Sequence, residues 1–165
     1  VYKRQMADFL ALPKQIYQPD HLMQSEEEEL ALIEGSHPLS SDLETYAFIG
    51  YVDSRPCIRG LLTFYPGDGA AYLGFFESIH DHQIASVFIE HLAGFARSLG
   101  ASRIIGPVQA SFWLGYRMQL TGTEELPFTG EPHNPAYYPQ LWQAAGFELK
   151  AVSYTHLTLP TICSG

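Results

Sequence analysis

AYLGFFESIHDHQIASVFIEHLAGFARSLGASRIIGPV, Ala71–Val108, carries two structural periods in succession. Its first piece, Ala71–Ile79, is apolar, aromatic and short, as a strand is. Asp81 then stands at a capping position. Ile84, Val87, Phe88, Leu92, Phe95 and Leu99 recur at spacings of three and four, the stripe of an amphipathic helix, and Gly100 is placed to end it. Ser102–Val108, SRIIGPV, reads as a short buried strand. A strand, a helix and a second strand in this order predict that the two strands pair in parallel.

Working outward, Thr45–Val52 and Cys57–Tyr65 are rich in β-branched and aromatic residues, with the turn DSRP, Asp53–Pro56, between them. PGDGA, Pro66–Ala70, supplies a second turn. Three strands joined by short turns predict an antiparallel meander, so the fold class is α+β. Before the meander, Ala7–Gln18 reads as a short helix weakened by Pro13. Ser25 followed by Glu26–Glu29 is a capping-box pattern that predicts a second helix, with the acids on its solvated start. After Val108, residues Gln109–His133 show no period and read as a long ordered loop, the kind that often carries function. Asn134–Lys150 reads as a helix followed by a strand, with Asn134 as the cap and Pro135 at the first helical position.

The two ends share one origin at the level of DNA. VYKRQ, Val1–Gln5, can be encoded by GTG TAT AAG AGA CAG. The complementary strand, read two bases on, encodes Val-Ser-Tyr-Thr and begins a His codon, matching VSYTH at Val152–His156. Such an inverted element resembles the terminus of a transposon-type sequencing adapter. We therefore expect 1–5 and 152–165 to be scar. The domain is then 6–151, a single unit expected to come from a longer protein.

Composition narrows the function classes. The chain has nine basic and eighteen acidic residues, a formal charge of −9. Without Lys3 and Arg4 the imbalance grows. An acidic chain is a poor partner for nucleic acid, which is held by cationic contacts to phosphate, and equally poor for an anionic membrane surface. No run of about 18 apolar residues predicts a membrane span. Within 6–151, Cys57 is alone, which suits a reducing compartment, and we expect a cytoplasmic location. About 145 residues suffice for one domain with a real core.

Few residues are placed to do chemistry. No nucleophile elbow, phosphate-binding glycine loop or paired-cysteine motif is present. His80 and His82 flank Asp81, but His91 lies nine positions beyond His82 and does not share a helical face with it, so no metal site is expected. Cys57 reads as a small packed strand residue. Glu77 is more informative. GFFES ends an apolar strand on a carboxylate just before a helix, where ligands bind in strand–loop–helix units. A carboxylate there can take a proton from an amine. It can equally cap the helix or point to solvent. Ser111 follows a strand end and either meets a ligand or steadies the loop. Tyr137 and Tyr138, beside Asn134, either donate to a ligand or pack with wet hydroxyls.

The ordered set GFFES, then GP after the next strand, then NPAYYPQLWQAAGFE, resembles the GNAT acyltransferase superfamily. More narrowly it is similar to bacterial GNAT-like N-acyltransferases distantly related to Fem-type aminoacyl transferases. The resemblance covers most of Thr45–Lys150. It implies a GNAT-like α+β domain: a mixed, mostly antiparallel twisted sheet with helices on both faces. It implies transfer of an acyl group from acyl-CoA to a small-molecule amine or amino-acid-like acceptor, with no metal. Glu77 and Tyr138 would be the catalytic residues. Asp81, His82, Gln83 and Ile84 would hold the donor pyrophosphate through their backbone N–H groups. Ser111, Asn134 and Tyr137 would line the substrate cleft. A second GNAT-like domain is a possible partner within the longer chain. The sequence departs from the family at two points: Ser78–Ser86 has no glycine and an aspartate at the cap, and Trp142 stands where a tyrosine acid is usual. A domain of this fold that only recognises a ligand, or packs on a second domain, is the alternative.

Overall fold

The computed structural model describes residues 2–129 and 131–150. Eight elements follow one another: α1 (Tyr2–Ile16), α2 (Glu26–Glu34), β1 (Glu44–Val52), β2 (Arg55–Phe64), β3 (Ala70–Ser78), α3 (His82–Ser98), β4 (Arg103–Ile105) and α4 (Tyr138–Ala144). The strands form one mixed sheet in the order β1-β2-β3-β4. β1, β2 and β3 pair antiparallel, and β4 pairs parallel to β3. The parallel pairing follows from the crossover through α3. The protein is thus α+β.

The meander turns more tightly than the sequence suggests. Asp53 and Ser54 both have positive φ, 47° and 64°, so two residues make the hairpin and β2 starts at Arg55. Ser25 Oγ accepts from the Glu28 N–H at 3.3 Å and so caps α2. Asp81 Oδ1 accepts from the Ile84 N–H at 2.9 Å and caps α3. α1 runs from Tyr2, through the expected scar residues 2–5, which are all exposed. Pro13 does not break it. No described helix is long and apolar enough to cross a membrane.

Alternation along β2 builds two cores. Ile58 and Leu62 face α3, where Ala85, Phe88, Ile89, Leu92 and Ala96 close the larger core with Leu141 and Trp142 of α4. Leu61 faces the other way, onto Leu32 of α2. Arg59, also on that face, donates to the carbonyl of Phe9 in α1. Helices therefore cover both faces of the sheet.

Two expectations for the C-terminal part are corrected. α4 begins at Tyr138 rather than beside Pro135, and Asn134 does not cap it. The Asn134 side chain is saturated by the loop instead: Oδ1 accepts from Gln119 N–H at 2.7 Å and Nδ2 donates to the Gln119 carbonyl at 3.1 Å. No strand follows α4 among the described residues. Phe147 instead packs its ring on Trp142 at 4.5 Å. Residues 152–165 lie outside the described part.

The parallel pairing of β3 and β4 ends at Tyr72 and Ile105, and the chain after β4 stays close to β3, with Val108 N–H donating to the Leu73 carbonyl at 2.9 Å. The two segments stay in close contact at Gly74, where a Cβ would sit 2.0 Å from the Val108 carbonyl oxygen. Gly74→Ala should push this crossing apart and lower stability by ~1–3 kcal/mol, as overpacking does. Chemical denaturation checks this. A loss under about 0.5 kcal/mol would mean the two segments separate freely.

Candidate functional site

A β-bulge decides where Glu77 points. Leu61 pairs with Gly74, but Arg59 pairs with Glu77, so β3 holds one extra residue across that step. Phe75 takes it up with φ 48°, and its N–H donates to Gln109 Oε1. Before the bulge, Ala71 and Leu73 face the α3 core; after it, Phe76 does. Uninterrupted alternation would have sent Glu77 into that apolar core with Ala71 and Leu73. The bulge places it on the opposite face, with Arg59.

There the carboxylate meets two tyrosines. Tyr138 Oη donates to Glu77 Oε2 at 2.6 Å and accepts from the Ser78 N–H at 2.8 Å. Tyr17, one residue past the end of α1, faces Glu77 as well and favours its charged form. Phe76 fixes α4 from below, with edge contacts to Tyr138 and Trp142 at 5.3 and 5.2 Å. Tyr137 donates to the Ser78 carbonyl at 2.6 Å and stacks on His80 at 4.3 Å.

Burial pushes the Glu77 carboxyl up to about 7, against the pull of Arg59 and the two tyrosine hydroxyls. Burial also raises Tyr17 and, well above its ordinary value, Tyr138, with the Glu77 charge adding to both. Tyr137 is pushed up to about 12 by burial and then by Glu77. All three phenols therefore stay protonated at neutral pH and act as donors. Glu77 is poised to change charge near neutrality, as a working acid or base must.

Arg59 organises the surroundings. It is 2% exposed and makes a bidentate pair with Glu29, itself 5% exposed, at 2.7 and 3.0 Å. Its Nη1 also donates to the Phe9 carbonyl at 2.8 Å. That carbonyl is the one Pro13 leaves without a helical donor, since it lies four residues upstream. Arg59 thus repairs α1 and holds its end where Tyr17 reaches Glu77.

A cavity of about 520 Å³ opens over this group. Its walls come from the end of α1, the segment into α2, the bulge, and the loop after β4. It lies at the carboxyl ends of two adjacent parallel strands, the usual place for a ligand in such sheets.

The residues singled out by sequence separate into three groups. Glu77, Tyr138 and Asn134 line the cavity. Tyr137 sits behind it, on the Ser78 carbonyl. Ser111 does not line it, and its Oγ accepts from Trp113 N–H at 3.2 Å. Asp81, His82, Gln83 and Ile84 stand at the start of α3, outside the cavity walls, with the Ile84 N–H already taken by Asp81. Asp81, not Glu77, caps that helix. Among the described residues no three His, Cys, Asp or Glu side chains converge as a metal site. Two residues escaped sequence reasoning. Arg59 had a signal, a lone cation in the apolar run CIRGLL; Tyr17 had none, because its role depends on how α1 ends. No family model, curated protein or solved structure matches the chain.

Proposed function

We propose that this chain is a GNAT-like N-acyltransferase that moves an acyl group from a thioester such as acyl-CoA to an amine, with Glu77 as the base. The observation that carries the reading is Glu77 itself, at a cavity floor, between two protonated tyrosines, with its carboxyl near 7. An amine attacks a thioester only after losing a proton, and a carboxylate of this basicity takes it at neutral pH. Tyr138 and Tyr17 orient the carboxylate. The amine nitrogen then bonds to the acyl carbon as the thiolate leaves. The bulged strand, the cavity at the carboxyl ends of the parallel strands, and the pieces GFFES and NPAYYPQLWQAAGFE support a GNAT-type arrangement. The start of α3 is a poor seat for a pyrophosphate, because the Asp81 carboxylate fills it. That feature favours the second reading, a non-catalytic GNAT-like domain that recognises a ligand or packs on another domain.

Thiol release from acyl-CoA in the presence of a panel of amines tests the choice. Release that needs both donor and amine is expected. No release with any donor, together with no heat on titrating coenzyme A at about millimolar concentration, would leave the non-catalytic reading.

A further inference from the structure

Resting on the acyl-transfer reading, we infer that the acceptor is a cationic amine with an aromatic body and no carboxylate, held by the Glu77 cavity. An amino acid would need a cation for its carboxylate. Arg59 has its charge balanced by Glu29 at 2.7 and 3.0 Å, its Nη1 also serves the Phe9 carbonyl, its buried Nε has no hydrogen-bond partner, and its guanidinium lies 4.5 Å from the Phe9 ring centroid. Arg117 stands where this cavity adjoins a second, apolar one. It lies over the Tyr116 ring at 4.6 Å and donates to the Tyr116 hydroxyl at 2.6 Å. His133 is held below its ordinary value by burial and by His21, so it adds little charge at neutral pH. The Glu29–Arg59 pair cancels, and Glu28, Glu77 and Glu131 then outweigh Arg117 in the walls.

Aromatic rings complete the walls and suit an aromatic body; their faces also attract a cation. A further sign of a ligand is Trp142. It is 4% exposed, it lies in the wall, and its Nε1 has no hydrogen-bond partner, which leaves a donor for an acceptor atom. Glu77 has accepting capacity left beyond its two tyrosines, enough for an ammonium.

Calorimetry with three probes of one shape and different charge decides it: tyramine, tyrosine and 3-(4-hydroxyphenyl)propionate. No donor is added, so binding is read apart from turnover. Tyramine should bind at least ~tenfold more tightly than tyrosine, and the propionate more weakly still, as expected for one close charge contact in a partly buried site. Glu77→Gln should weaken tyramine by about the same factor, and Glu28→Gln by less, with both variants folded by circular dichroism. Tyrosine or the propionate binding as well as tyramine, or no tyramine heat up to about 1 mM, would overturn the inference. Selective tyramine binding without thiol release from any thioester would sink acyl transfer and leave the cavity's specificity standing.

Discussion

Glu77→Gln should lower the rate of acyl transfer about 10²–10⁴-fold at pH 7, the range for a lost general base. Gln keeps the shape, and the Tyr138 hydroxyl can still donate to its oxygen. What disappears is a group that takes a proton. In the parent protein kcat/KM should rise with pH through about 7, because only the ionised carboxylate is a base. The groups facing it are Tyr17 just past α1, Tyr138 of α4 with Tyr137 just before it, Arg59 from β2 and Glu29 from α2. The three tyrosines are raised and stay protonated, so the inflection near 7 belongs to Glu77. The variant should lose it and regain rate only as free amine accumulates at high pH. A variant that keeps more than half the rate from pH 6 to 9 would remove Glu77 from the mechanism.

The same substitution separates a catalytic carboxylate from a structural one. The folded value of about 7 lies above the 4.5 of an unperturbed carboxyl. Between these limits the folded chain holds a proton that the unfolded chain has released. Stability therefore falls as pH rises through that window, by up to ~3 kcal/mol from this group, and the penalty is absent below about 4.5. Glu77→Gln removes the penalty. It should be as stable as the parent at pH 4 and more stable at pH 8, while being far less active. A helix cap would show the reverse, lower stability with activity kept.

Much of the sheet was legible because turn residues and periods agreed. The Asp81 cap and the parallel return of β4 appear as read. The helix α3 is where it was expected, but its buried face is Ala85, Phe88, Ile89, Leu92 and Ala96; of the stripe read from sequence, Phe88 and Leu92 are buried, while Val87 and Leu99 are exposed. The side chain of Glu77 was legible as a chemical type but not in its direction. Period-two alternation points it into the α3 core, and only the extra residue at Phe75 turns it to the cavity. A bulge at a phenylalanine leaves no turn signature. The cap at Asn134 failed because the loop back to Gln119 claims the same amide, a tertiary competition that local spacing cannot contain. Pro13 misled for a related reason. A proline weakens a helix only where its orphaned carbonyl stays unpaired, and the donor here sits fifty residues away in β2.

Arg59→Met should therefore be the most destabilising substitution in the molecule's polar interior, by about 3–5 kcal/mol, with a fall in thermal midpoint on the order of 10 °C. Three partners lose out together. Glu29 becomes a buried carboxylate with only Gln24 Nε2, at 3.0 Å, to serve it. The Phe9 carbonyl loses the donor that replaces the proline's missing N–H. The end of α1, which delivers Tyr17, loses its tie to β2. Removing Glu29 as well, in Arg59→Met/Glu29→Leu, should recover most of the loss, since a buried pair replaced by apolar residues is often neutral. A remainder of ~1–3 kcal/mol should persist, because the Phe9 carbonyl is still unpaired. The electrostatics give a second readout. Arg59 holds the Glu77 carboxyl down and Glu29 pushes it up, so the single variant should move the acid limb of the rate profile to higher pH and the double variant should move it back. If Arg59→Met cost under about 1 kcal/mol and left the limb in place, α1 would be held by its apolar contacts alone. Tyr17 would then reach Glu77 without help from the ion pair.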